Sequence, residues 1–148
     1  MTSNCWPRFH VQSMIWATDS IGISLLLYPP PNPSAMADPA AAPEVGINGC
    51  FHTWDSAVHA EIFATQIIRD AGYRAEVMMA AFHSDAKFIE NCDSRGNGDV
   101  LWNGKYYGAN VHPYETVFLK TNRDIDPVLM ERLTAWTDGS GYSSYEHC

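Results

Sequence analysis

Residues 55–82 read DSAVHAEIFATQIIRDAGYRAEVMMAAF, and this stretch decides the fold. Between Asp55 and Ala71, apolar residues fall at Ala60, Phe63, Ala64, Ile67, Ile68 and Ala71. This repeat of about three to four residues marks one face of a helix. Val58 and Ile62 lie on the opposite side, so the helix is expected to be covered on both faces. Gly72 suits the left-handed residue that ends a helix. Tyr73 to Phe82 then reads as a strand, giving a helix-Gly-strand unit of the kind found in α/β layers.

Outward from this unit, residues 10–17 (HVQSMIWA) read as a partly buried strand, and Asp19 or Ser20 as the cap of a short helix from Ile21 to Leu27. The segment Pro29 to Pro43 is rich in Pro and Ala and nearly free of large apolar residues; it is expected to be a mobile surface loop. Asp93 to Gly98 is turn chemistry. Asn103-Gly104, flanked by Leu101-Trp102 and Tyr106-Tyr107, signals a hairpin turn. Residues 112–121 (HPYETVFLKT) read as a strand whose start Pro113 keeps off a central ladder. Asp126 and Pro127 open a last helix with inner face Leu129, Met130, Leu133 and Trp136. The expected fold class is therefore α/β: one layer, with the 55–71 helix packed on a mixed sheet made from 10–17, 73–82 and 114–120.

Composition narrows the function. The 148 residues suffice for one compact domain, and 46% hydrophobic content supports a core. A net charge of −8 and the lack of a basic stripe argue against nucleic-acid binding. No run approaches the ~20 apolar residues of a membrane span, and the N-terminus does not read as a signal peptide. Cys5, Cys50, Cys92 and Cys148 are widely spaced, which speaks against a zinc ribbon; two disulfides in any of three pairings, or free buried thiols, both fit.

Residues 60–74 (AEIFATQIIRDAGYR) resemble the acidic helix of inverting glycosyltransferases of the GT-A type. In those enzymes an acidic pair opens a helix that closes with Ala-Gly-Tyr-Arg. Counted back from Gly72, Glu61 falls where they keep the catalytic base, but the preceding residue is Ala60, so the pair is reduced to one acid. Asn4-Cys5, His10-Val11-Gln12-Ser13, Ala17-Thr18-Asp19 and Gly22 with Leu25-Leu26-Leu27 are similar to a series shared by glycosyltransferase-like proteins of fungi, plants and algae. His112-Pro113-Tyr114-Glu115, followed by Phe118-Leu119-Lys120, resembles their late strand. The likeness spans nearly the whole chain outside the Pro/Ala loop.

The resemblance implies a partial, incomplete GT-A-like layer. The nucleotide-binding half, with its metal-holding Asp-x-Asp, is expected to be missing, because in such enzymes it precedes the Asn-Cys segment. Asp124-Ile125-Asp126 lies on the wrong side of the fold for that role and reads as a helix cap. The implied function is the acceptor-side half of a nucleotide-sugar-dependent enzyme, inactive alone, with a sugar nucleotide and a glycan acceptor as partners. Full-length relatives would use a divalent metal (Mn or Mg) and reside in the Golgi lumen.

Inverting transfer needs a base for the acceptor hydroxyl, the role implied for Glu61, and positive charge on the departing diphosphate. By the resemblance His112 falls where a late histidine completes the metal or diphosphate site; its plainer role is a histidine at a strand entrance held by backbone hydrogen bonds. His52, Trp54 and Asp55 precede the acidic helix, where an acceptor sugar would stack on Trp54 and bond Asp55; the plainer role of the last two is a buried aromatic and a helix cap. His59-Ala60-Glu61 also satisfies the H-x-E of zinc deaminases, but the second cysteine motif that chemistry needs is lacking. His10, His83 and His147 read as structural. Two other function classes stay open: a non-catalytic carbohydrate-binding module using Trp54, Trp102, Tyr106 and Tyr107, and a truncated product without activity.

Overall fold

The computed structural model describes residues 2–30, 45–92, 98–142 and 146. Two short strands, β1 (Ser3–Asn4) and β2 (His10–Val11), pair antiparallel with Ser3 opposite Val11 and Asn4 opposite His10. Among the described residues the α-helices that follow are α1 (Ser20–Leu27), α2 (Trp54–Asp70), α3 (Ala80–His83) and α4 (Pro127–Gly139). A 3₁₀ turn, Pro113–Glu115, precedes α4. The class is α/β in the coarse sense that helices pack with a small sheet. Among the described residues no helix is long and apolar enough to cross a membrane.

Helix ends follow local chemistry. The Asp19 carboxylate accepts from Gly22 N–H at 2.8 Å and fixes the start of α1. Thr53, not Asp55, caps α2; its hydroxyl accepts from Ser56 N–H at 3.1 Å while the Ser56 hydroxyl accepts from Thr53 N–H at 3.2 Å. Two orphan donors of the first turn are thus satisfied reciprocally. At the other end Gly72 takes φ +86°, Tyr73 N–H reaches Ile68 O at 3.1 Å, and Gly72 N–H reaches Arg69 O at 2.9 Å. This is the paired closure that a left-handed residue permits. Asp126 caps α4 through Val128 N–H at 2.7 Å, with Pro127 in the first helical position as expected.

The expected mixed sheet is not formed. Residues 75–79 keep the alternation of a strand, with Val77 and Met79 buried and Glu76 and Met78 exposed, but they join no ladder. Side chains take the backbone groups instead: His83 Nε2–H donates to Val77 O at 2.7 Å, and Ala80 N–H donates to the Glu115 carboxylate at 2.9 Å. The end of the expected strand then coils into α3. The expected 114–120 strand opens as the 3₁₀ turn, because Pro113 presets a helical φ and His112 caps it. Val117 and Phe118 are both exposed, so no alternation follows. Of the 10–17 strand, only His10–Val11 pairs.

The turn at Asn103-Gly104 exists, closed by Lys105 N–H to Trp102 O at 2.9 Å. The two-residue hairpin loop, however, lies one step on. Tyr106 and Ala109 exchange both backbone bonds at 3.0 Å around Tyr107 (φ +54°) and Gly108 (φ +85°). Two positive φ values define the turn that suits a right-twisted hairpin. Beyond Pro30, the loop expected over Pro29–Pro43 lies outside the described residues, as does the turn at Asp93–Gly98 before Gly98.

The main core gathers Phe9, Val77, Met79, Phe88, Leu101 and Val111. Phe9 stacks on Phe82 at 5.9 Å and meets Phe88 edge-on at 6.4 Å, geometries that suit aromatic quadrupoles. A disulfide joins Cys5 to Cys92 beside this core, which resolves one of the three possible pairings; Cys50 is exposed and Cys148 lies outside the described residues.

The second edge of the small sheet is covered by α2. Gln12 N–H turns to Thr2 O at 3.0 Å, whereas Val11 N–H donates to the Thr65 hydroxyl at 2.8 Å and Ser13 N–H to the Glu61 carboxylate at 2.6 Å. Thr65→Val removes the acceptor while keeping shape, leaving a half-buried N–H unmatched. The expected loss is about 1–3 kcal/mol, read from the denaturant midpoint of wild type and variant; an unchanged midpoint would show that α2 does not hold the strand in this way.

Candidate functional site

Glu61 stands in the second turn of α2, half-buried, and its Oε1 accepts from both Ser13 N–H (2.6 Å) and Ser13 Oγ–H (3.0 Å). Its Oε2 has no hydrogen-bond partner among the described residues, so one oxygen is fixed while the other can receive a proton. The two motifs that carry Ser13 and Glu61, 48 residues apart, therefore meet at a bond.

Ser13 also lines a cavity of about 120 Å³ between α1, α2 and the extended 74–76 segment. Trp16, Thr18, Thr65, Arg74 and Glu76 supply its aromatic and polar surface. The mix of one indole with hydroxyl, guanidinium and carboxylate groups is suited to a hydroxylated ligand. Ser13, Trp16 and Arg74 were not singled out as site residues from the sequence. The available signal is the i, i+4 pair Glu61 and Thr65, two polar groups next to the buried Ile62 of α2.

His10 is buried on β2 beside this site. Its Nδ1–H donates to Arg8 O at 2.9 Å. Burial pushes its imidazole below the ordinary histidine range; the Arg8 bond and the nearby Glu61 and Asp99 carboxylates oppose this without overcoming it. Asp99 is itself the node of a polar chain. It accepts from Gln12 Nε2–H (2.9 Å), Leu101 N–H (3.0 Å) and Arg123 Nε–H (3.1 Å), and Gln12 Oε1 accepts from the Thr2 hydroxyl at 2.6 Å. His10 and His83 thus have the structural places expected; His147 lies outside the described residues.

The other expected site residues are dispersed. His52, Trp54 and Asp55 sit exposed at the entry to α2, with Trp54 74% exposed rather than buried. None of them lines the cavity at Ser13. His112 lies far along the chain at the 3₁₀ turn, against a separate cavity under α4. Its Nδ1 accepts from Tyr114 N–H at 3.2 Å, which places the proton of the neutral ring on Nε2. Among the described residues no three His, Cys, Asp or Glu groups converge as metal ligands.

The aromatic residues of the carbohydrate-module alternative are also divided. Tyr106 is half-buried and its hydroxyl is committed: it accepts from Ala81 N–H at 2.9 Å and donates to Glu115 at 2.8 Å. Burial pushes this phenol up to about 12, with the Ala81 bond opposing and Glu115 reinforcing the shift. Burial also raises the Glu115 carboxyl, but bonds from Ala80 N–H and the Tyr106 hydroxyl, with help from His112, hold it below the usual carboxylate range. Trp102 carries the Arg123 guanidinium over its ring at 5.6 Å. No protein-family model, curated protein or solved structure matches the chain.

The pH dependence follows from His10 and from His59, which burial and the Arg8 charge also lower. Each binds a proton more readily unfolded, near the ordinary value of about 6.5, than folded. Stability from these groups is complete above that pH and falls as pH drops toward their lower folded values. Unfolding free energy should therefore decrease between neutral and mildly acidic pH, and His10→Gln should flatten part of that slope, His10→Gln/His59→Gln most of it. Glu115 acts at lower pH, where its carboxylate protonates, and leaves this window clear. A slope unchanged in the double variant would overturn the assignment.

Proposed function

We propose that this chain is the acceptor-side part of a nucleotide-sugar-dependent glycosyltransferase with a partial GT-A-like layer. The single observation supporting the reading is the contact between Ser13 and Glu61. One residue closes the His-Val-Gln-Ser motif and the other lies in the second turn of the acidic helix, and these two stretches carry the family resemblance separately in sequence.

In this reading Glu61 is the base. Ser13 immobilises Oε1, and Oε2 accepts the proton of the acceptor hydroxyl as its oxygen attacks the anomeric carbon and the bond to the nucleoside diphosphate breaks. Holding one oxygen by two donors sets the carboxylate direction and lowers the entropy lost on reaching the transition state. The acceptor glycan lies across the mouth of the cavity at Ser13, which takes only part of one sugar, with Trp16 against a sugar face and Thr18, Arg74 and Glu76 as polar partners. The sugar nucleotide is held by a nucleotide-binding half, with the Golgi lumen as the setting of full-length relatives.

The test places Glu61→Gln in a protein carrying both halves. Glutamine still accepts from Ser13 N–H but cannot take the acceptor proton, so turnover should fall by ~10²–10⁴-fold. Donor affinity and melting temperature should barely move. Near-normal turnover would remove Glu61 from the chemistry. In the chain alone, glycan titration is expected to shift the amide signals of Ser13 and Thr18 and the Trp16 indole.

A further inference from the structure

Among the described residues the apolar face of α4 is left open: none of its residues is buried, and Leu129 and Trp136 remain 41% and 49% exposed. Below it lies a cavity of about 280 Å³ whose floor includes the buried core residues Leu101 and Val111. Leu129, Leu133 and Trp136 form the other wall. Tyr114 meets Trp136 edge-on at 5.1 Å. The volume is at the lower end of the roughly 300–1,000 Å³ typical of small-molecule sites, which suits a compact ring system.

The polar groups that line this cavity are Arg132, His112, Asn110 and the Tyr114 hydroxyl, none of them an acid. Arg132 lines it and has neither hydrogen bond nor ion pair among the described residues. His112 lines it with Nδ1 engaged by Tyr114 N–H and the proton on Nε2. Asn110 is committed: its carbonyl oxygen accepts from Gly104 N–H at 2.8 Å and its amide donates to Asn103 at 3.0 Å. No Asp or Glu is in the lining, in a chain of net charge −8. The groups left over are N–H donors with positive character beside an apolar, aromatic-walled space.

A ligand complementary to this space brings acceptor oxygens, negative charge and an apolar body. We propose that the cavity under α4 binds a small apolar carboxylic acid, its carboxylate paired with Arg132 and the His112 Nε2–H and its ring body among Leu129, Leu133 and Trp136. A guanidinium fork matches a carboxylate in two-point geometry, which a neutral polar group does not reproduce. This site lies apart from the one proposed for sugar transfer, since no residue lines both cavities.

The probe is 2-naphthoate, with the uncharged 2-naphthamide as its isostere, titrated into the full chain and followed by amide and methyl NMR. Naphthoate should shift the Leu129, Leu133 and Trp136 signals and bind about tenfold or more tightly than the amide, the usual scale for a hydrogen bond to a charged group. Arg132→Gln, on an exposed helix position, should erase that preference while leaving the spectrum of the free protein intact. Leu133→Trp should block both probes by filling the cavity. Equal affinity for acid and amide, shifts confined to other residues, or no shifts at millimolar probe would overturn the proposal. So would a self-associated chain, seen by sedimentation, in which naphthoate neither binds nor dissociates the copies.

Discussion

Everything in the N-terminal half depends on how β2 satisfies its backbone. Successive N–H groups of an extended segment point to opposite sides, so a strand that pairs on one side leaves every second donor on the other. Here Gln12 turns to β1 while Val11 and Ser13 turn to α2, where the Thr65 hydroxyl and the Glu61 carboxylate wait one helical turn apart. The i, i+4 spacing on α2 spans about 6 Å of helix rise, close to the spacing of two residues along a strand. The helix therefore stands where a third strand would, and the sheet stops at two. This one match of periods fixes the position of α2, and with it Glu61, Ser13 and the adjoining cavity.

The remainder of the chain solves the same accounting problem without a sheet. Unpaired backbone groups in a partly buried, irregular chain are costly unless side chains reach them. Glu115 takes Ala80 N–H, His83 takes Val77 O, and Asp99 takes Leu101 N–H while anchoring Gln12 and Arg123. Ionised acceptors make stronger bonds than neutral ones, which lets a few carboxylates replace many ladder bonds. Thr116 is an exception, its buried hydroxyl unmatched among the described residues. Such a fold relies on ionisation in a way a regular sheet does not, so acid acts on its architecture as well as on any site.

What the sequence displayed legibly was whatever is decided within a few residues. Asp19, the Asp126-Pro127 pair and Gly72 each sit at the helix end their chemistry implies, because capping is a local bond. The alternation over Val77 and Met79 correctly marked one buried face, yet a strand also needs a neighbour, and alternation does not supply one. His83 and Glu115 took the backbone groups first. The Tyr107-Gly108 turn escaped notice because tyrosine carries no turn signal; the positive φ is imposed by the exchanged bonds of Tyr106 and Ala109. At the site, Glu61 was visible from its helical offset. Its partner Ser13 was not, since nothing local links residues 48 apart.

Glu61 caps the edge of β2 with one oxygen, which accepts from the Ser13 N–H and hydroxyl; the base role proposed for it would use the other, next to a residue that lines the cavity. Glu115 offers a comparison. Its Oε2 likewise accepts twice, from Ala80 N–H and from the Tyr106 hydroxyl, and so ties the 3₁₀ turn to the start of α3. Both acids thus close two donors with one oxygen, and the base role proposed for Glu61 rests on its meeting with Ser13 and not on a bonding pattern of its own.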